Sequence, residues 1–151
     1  MQRAFMIGLI VALTTGGIFA IVTTLEGIIS RSVGAVYTSL WEHVFAGGLA
    51  ITLVAVLAMR GNINWLAVKG VFPQVILTAL LILLAVTGIA YAIPHLGVAV
   101  GNFAMVIGQV IIAIMIDAVG VGGLERIPLS LPRVFGVLLM AGGLYFVIPK
   151  S

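Results

Sequence analysis

Proton or cation chemistry in this sequence rests on four acids, Glu26, Glu42, Asp117 and Glu125. Glu26 stands in TTLEGIISR (23–31), near the end of an apolar run that starts at Phe5 and holds no other charge. Burying a charge in hydrocarbon costs about 2.5–3.5 kcal/mol on insertion scales, so an acid kept there needs a reason. Glu42 has His43 beside it, and Asn102 and Gln109, seven residues apart, share one helical stripe with Met105 between them. Glu26 has no basic partner at i±4, where Val22 and Ser30 stand; Arg31, five positions on, points to another face. Acids without bases suit the binding of protons or cations rather than anions.

Other chemistries find no residues. With no cysteine, a disulfide, a thiol nucleophile and a thiolate metal site are all excluded. His43 and His95 lie far apart without metal-ligand spacing, and neither HExxH nor GxSxG occurs. Glu26 and Glu42 come from different helices and meet only through tertiary packing. The expectation is a protein with no catalytic residues, no metal and no cofactor.

The elements that position these residues follow from composition. Of 151 residues, 63% are hydrophobic and only 7% charged, against roughly a quarter charged in a soluble domain. With a mean hydropathy of +1.37, the chain is expected to be an all-α integral membrane protein. A crossing needs about 20 apolar residues, and five stretches serve: 5–29, 37–59, 71–93, 96–119 and 131–149. These runs lack the alternation of a β-barrel, and the first is too long for a signal peptide and has no clear cleavage site. They predict a single domain, a bundle of five transmembrane helices over 1–151. Ser32–Gly34, the polar segment 60–69, IPHLG (93–97) and the Gly- and Pro-rich stretch 120–133 mark the connections. Gly16-Gly17, Gly47-Gly48, Gly142-Gly143 and Gly97-xxx-Gly101 are expected to be sites of close helix approach.

The isoelectric point near 9.8 reflects topology rather than nucleic-acid binding. Arg3, Arg60, Lys69, Arg126 and Arg133 fall on one side, Arg31 and Lys150 on the other. The positive-inside rule then places the N-terminus in the cytoplasm and the C-terminus outside. Glu26, Glu42, His43 and Asn102 fall in the outer part of the membrane, Gln109 near its middle and Asp117 at its cytoplasmic end.

Each polar residue has two readings. Asp117 forms a structural ion pair with Arg126 or Arg133 at the boundary, or serves transport. Gln109 is an interhelical strut or a cavity group. Trp41 and Tyr37 form an interfacial belt or offer an aromatic face to a cation. Glu42 and His43 are an interfacial pair or part of a polar lining. For Glu26 we expect a functional role, on a stripe with Thr15, Thr23 and Ser30.

The stretch GQVIIAIMIDAVG (108–120) resembles the fourth-helix signature of YdcZ-type proteins, half-length members of the drug/metabolite transporter superfamily. Its Gly-Gln, aliphatic run, Asp117 and Gly120 have the family's spacing. Arg133-xx-Gly136 and Gly142-Gly143 are similar to the family's last helix, and Phe45 and Gly48 to its second. The chain departs from the pattern at Glu26-Gly27 and Ser30, where neutral Gln-Gly and Asn are expected, and Glu42 is a further acid. An acid on the first helix is also similar in position to the small multidrug resistance proteins, whose helix-one glutamate binds protons and cations, although five spans argue against membership.

The resemblance implies one half of an inverted-repeat transporter fold in the cytoplasmic membrane, moving a small solute. Such a half needs a second, oppositely oriented five-helix half, as homodimer or heterodimer, to complete a midplane site. Two acids without a buried base favour a cationic or neutral solute, with Glu26 alternating between proton and solute. Glu42, Gln109, Asn102 and Trp41 would complete the lining. The expected partners are membrane lipid, that solute and the second half, with no nucleic acid. The rival reading is a non-transporting assembly or accessory subunit.

Overall fold

Hydrocarbon offers the backbone no hydrogen-bonding partner, so an apolar chain of this kind satisfies its own N–H and C=O groups as helix. The computed structural model describes residues 2–61, 65–123 and 125–149, and the regular elements among them are all helical. In chain order they are α1 (Gln2–Val33), α2 (Ala35–Met59), α3 (Trp65–Gly70), α4 (Phe72–Leu96), α5 (Val98–Val119) and α6 (Leu131–Val147), with a 3-10 turn at Val121–Gly123. Lys150 and the side chain of Arg3, both used in the orientation argument, lie outside the described residues.

α1, α2, α4 and α5 are each long and apolar enough to cross a membrane. At 1.5 Å per residue the 32 residues of α1 reach about 48 Å, well beyond a hydrocarbon core of about 30 Å. α6 is shorter, 17 residues or about 26 Å. The chain is thus an all-α membrane protein with four helices of spanning length and one shorter apolar helix.

The chain divides into two compact units, Met1–His95 and Leu96–Ser151. In the first, α1 and α2 pack as a hairpin and α4 lies against the end where they join. The rest of α1 is bare: positions 5 to 19 are exposed throughout. In the second unit α5 packs on α6.

Two connections are tighter than the sequence suggests. Where a three-residue break at Ser32–Gly34 is expected, α1 runs on through Val33 and only Gly34 intervenes. Gly34 has φ 85° and ψ 153°, backbone open essentially to glycine alone, and its carbonyl accepts the first hydrogen bond of α2 from Thr38 N at 3.1 Å. The turn expected at IPHLG is likewise Gly97 alone, with φ 81° and ψ 160°. Pro94 is not in that turn but inside the last turns of α4. A proline so near a helix end disturbs few hydrogen bonds. It leaves the carbonyl of Ala90 with no i+4 N–H to accept.

The connection between α2 and α4, expected as a polar loop, contains the short helix α3. α5 ends at Gly120, in left-handed conformation, whose N–H bonds to Ile116 O at 2.9 Å. The chain then turns back, Ile127 N donating to Asp117 O at 2.9 Å, and enters α6 through Ser130 with proline in the first turn.

A candidate coupling site around Glu26

The deepest point of the first unit is polar. Thr23, Glu26, Thr38 and Ser39 are all buried, Glu26 to 2% exposure, alongside Ile89, Ala90 and Ile93. Three elements meet to enclose them: the last turns of α1, the first turns of α2 and the last turns of α4. Gly27 makes the approach possible. A Cβ there would collide with Ile93 Cγ2 and stand 3.0 Å from Ile93 Cβ, so α4 rests where a side chain would be. α2 is tied to α4 by Ser39 Oγ, which donates to Leu83 O at 3.2 Å.

The hydrogen bonds leave this cluster rich in acceptors. Thr23 donates to Ala20 O at 3.1 Å and Thr38 to Gly34 O at 2.9 Å. A hydroxyl has one proton, so those of Thr38 and Ser39, already on backbone carbonyls, are not available to the carboxylate. Glu26 Oε2 is buried and has no hydrogen-bond partner among the described residues. Ala90, whose carbonyl lacks an i+4 N–H because of Pro94, is also buried in this unit. A buried carboxylate oxygen without a partner is satisfied by a proton or a cation.

Glu42 and His43, both half-buried on α2, lie close enough to Glu26 to act on it electrostatically. His43 Nδ1 is 2.7 Å from Ser39 O. A carbonyl only accepts, so Nδ1 carries the proton and Nε2 is left open. The structure therefore brings together Glu26, Glu42 and His43. Trp41 is turned away, 59% exposed, with its ring 6.1 Å from that of Phe45. On the α1 stripe Thr23 is buried with Glu26 and Ser30 is half-buried, but Thr15 is exposed.

The other candidates belong to the second unit. Asn102 is half-buried and donates to Val98 O at 2.9 Å; Gln109 is exposed. Arg133 Nη2 lies 3.1 Å from Asp117 Oδ2 with both side chains about one-third exposed. Arg126 does not join this pair. Its Nε donates to Ala118 O at 2.8 Å, capping the end of α5.

Thr38, Ser39 and Ala90 are members of the cluster that sequence reasoning missed. Hydroxyls in membrane helices usually bond back to their own chain, as Thr38 does, so neither residue signals a site by itself. The useful signal was Gly27 next to Glu26, a small residue that admits another helix just where the acid points.

The sequence model of the DMT_YdcZ family, described as "Putative inner membrane exporter, YdcZ", matches residues 7–146. The chain belongs to this family. The match takes in all six helices, from the second turn of α1 to the penultimate residue of α6. As a YdcZ-family member the protein is a membrane transporter and not an enzyme. No curated protein and no solved structure matches the chain.

Proposed function

We propose that this YdcZ-family protein is one half of an exporter in the cytoplasmic membrane, moving a small cationic or neutral solute in exchange for protons at Glu26. The observation that carries the reading is Glu26 Oε2, buried without a partner among the described residues. A carboxylate so placed is satisfied by a proton in one state and by a cation in the other, and competition between the two links their movements. Glu42 adds a second acid that favours positive charge. Two acids this close together also disfavour anions.

In the same reading, α6 completes a five-span half with the N-terminus in the cytoplasm, and a second copy or a related chain of opposite orientation supplies the other half. The basic residues Arg60, Lys69, Arg126 and Arg133 support that orientation. Reporter fusions at 60–69 and 120–133 should report cytoplasm. Equal populations of both orientations would replace the asymmetric half with an antiparallel homodimer.

The test of function is a proton-flux screen on the reconstituted protein across a panel of organic cations. Proton release driven by a cation in wild type, and absent from Glu26→Gln at equal protein density, is the expected result. Equal flux from both proteins would remove Glu26 from the mechanism.

A further inference from the structure

In this structure Glu26 is shut off from direct proton exchange. It is 2% exposed, and α4 rests on Gly27 beside it. Thr38 and Ser39 direct their hydroxyl protons to backbone carbonyls, so neither hands one to the acid. A buried acid that loads and releases protons needs a titratable group between it and the outside. Among the described residues, Glu42 and His43, both half-buried on α2, lie within electrostatic reach of Glu26.

His43 is held in a way that suits the task. Its Nδ1–H donates to Ser39 O at 2.7 Å, and Ser39 is fully buried in the cluster with Glu26. One ring nitrogen is thus fixed to the wall of the cluster, and Nε2 is left to take up and give back a proton. The same ring lines an open groove of about 420 Å³ between α2 and α4, where it is the single titratable side chain. His43 therefore touches the groove on one side and the wall around the acid on the other. The other helices bring no competing charge to this point. α4 has no acid or base between Phe72 and Ala90, and Arg31, Tyr37, Tyr91 and His95 are exposed.

We propose that His43 is the relay through which Glu26 gains and loses its proton. This rests on the reading of Glu26 as the proton site and adds the proton's route. An arriving proton binds Nε2 and makes the imidazolium, with Nδ1–H still on Ser39 O. Nε2 then gives that proton to Glu26 Oε2, the oxygen without a partner among the described residues, and the ring returns to neutral. The reverse order empties Glu26. Glu42, within reach of His43, supplies negative charge that stabilises the imidazolium between the two steps. An imidazole ordinarily titrates near neutral pH, so it accepts and releases a proton with little driving force either way.

The test follows proton uptake at Glu26 itself, with no solute present. After flash release of a caged proton, time-resolved infrared spectroscopy of the purified protein reads the C=O stretch of the newly protonated carboxyl. Glu26→Gln identifies the part of the band that belongs to Glu26. His43→Asn keeps a donor for Ser39 O, as Asn102 donates to Val98 O four residues back at 2.9 Å, but cannot titrate. His43→Ala removes donor and titration together and leaves room for added imidazole. In both variants the Glu26 band should rise about a hundred-fold more slowly than in wild type, the low end of what a positioned acid–base group contributes. Added imidazole should restore the rate in His43→Ala. A wild-type rate in His43→Asn would show that His43 merely anchors Ser39, and would refute the relay. A slow His43→Ala that imidazole does not speed would refute it too. Where His43→Ala does not purify as a monodisperse protein, the rate in His43→Asn decides alone. In each of these outcomes the Glu26 reading stands, because the band is still lost in Glu26→Gln. If the spectra of wild type and Glu26→Gln do not differ, Glu26 does not titrate and both readings fall.

Discussion

Glu26 and Asp117 are acids of similar chemistry set in apolar helices, yet the two units of the molecule treat them in opposite ways. Asp117 lies at the end of α5, about one-third exposed, with Arg133 3.1 Å away and Ile127 N bonded to its carbonyl. Its charge is met by an arginine and partly by solvent or headgroups. Glu26 is closed in by three helices at 2% exposure, with Oε2 left without a partner. The first arrangement ends a helix and folds the following loop back on it. The second leaves Oε2 unmatched, and an unmatched buried polar atom costs about 1–3 kcal/mol. An acid with a buried oxygen left unmatched is open to a ligand; one paired with an arginine is explained by the fold.

This contrast can be broken from the side of packing first. Gly27→Val should be the most damaging change in the first unit, lowering stability by up to about 3 kcal/mol, because the new side chain occupies the position of Ile93. Thermal unfolding in detergent reads this directly. An unchanged midpoint would mean that α4 does not close over Glu26 as described. The counterpart in the second unit, Gly143→Ala, places its Cβ 3.3 Å from the Phe103 ring, which can swing aside, and should be tolerated.

Gly34→Ala comes next, at about 2 kcal/mol, because φ 85° with ψ 153° is open to glycine and strained for alanine. Loss of the sharp turn would separate Thr38 and Ser39 from Glu26, so binding of a cation should fall along with stability. A variant as stable as wild type would show that the turn relaxes freely.

Asp117→Asn removes a partly exposed ion pair and should cost about 1 kcal/mol or less, with transport per molecule retained. A well-folded Asp117→Asn protein that no longer transports would place Asp117 with Glu26 in function. The smallest effect is expected at Arg126, whose hydrogen bond to Ala118 O is exposed. Arg126→Gln should shift the unfolding midpoint barely at all, and a large shift would mean that the loop after α5 depends on this residue.

Much of this contrast was legible in the sequence. The helices follow from apolar runs that have no other way to satisfy their backbones, and the lone charge at Glu26 stood out against them. The tight turns were harder to read. Pro94 and Gly97 both signal a break, but only the glycine makes one, because a proline in the last turns of a helix leaves just the Ala90 carbonyl without its donor. Ser39 was invisible because its bond to Leu83 spans 44 residues, and no local pattern encodes the crossing of α2 and α4. Arg126 and Arg133 have the same charge and flank the same loop. Which of them meets Asp117 is decided by how the chain turns back after Gly120.

The central claim is that Glu26 exchanges a proton for a solute. Glu26→Gln keeps the side chain's size and most of its hydrogen-bonding capacity but removes its proton equilibrium. Export from vesicles with an imposed pH gradient, compared between wild type and Glu26→Gln at matched protein levels, tests the claim most directly. The account predicts that Glu26→Gln folds as well as wild type or better, being relieved of a buried acid, and shows no gradient-driven transport. Equal gradient-driven transport by the two proteins would contradict it.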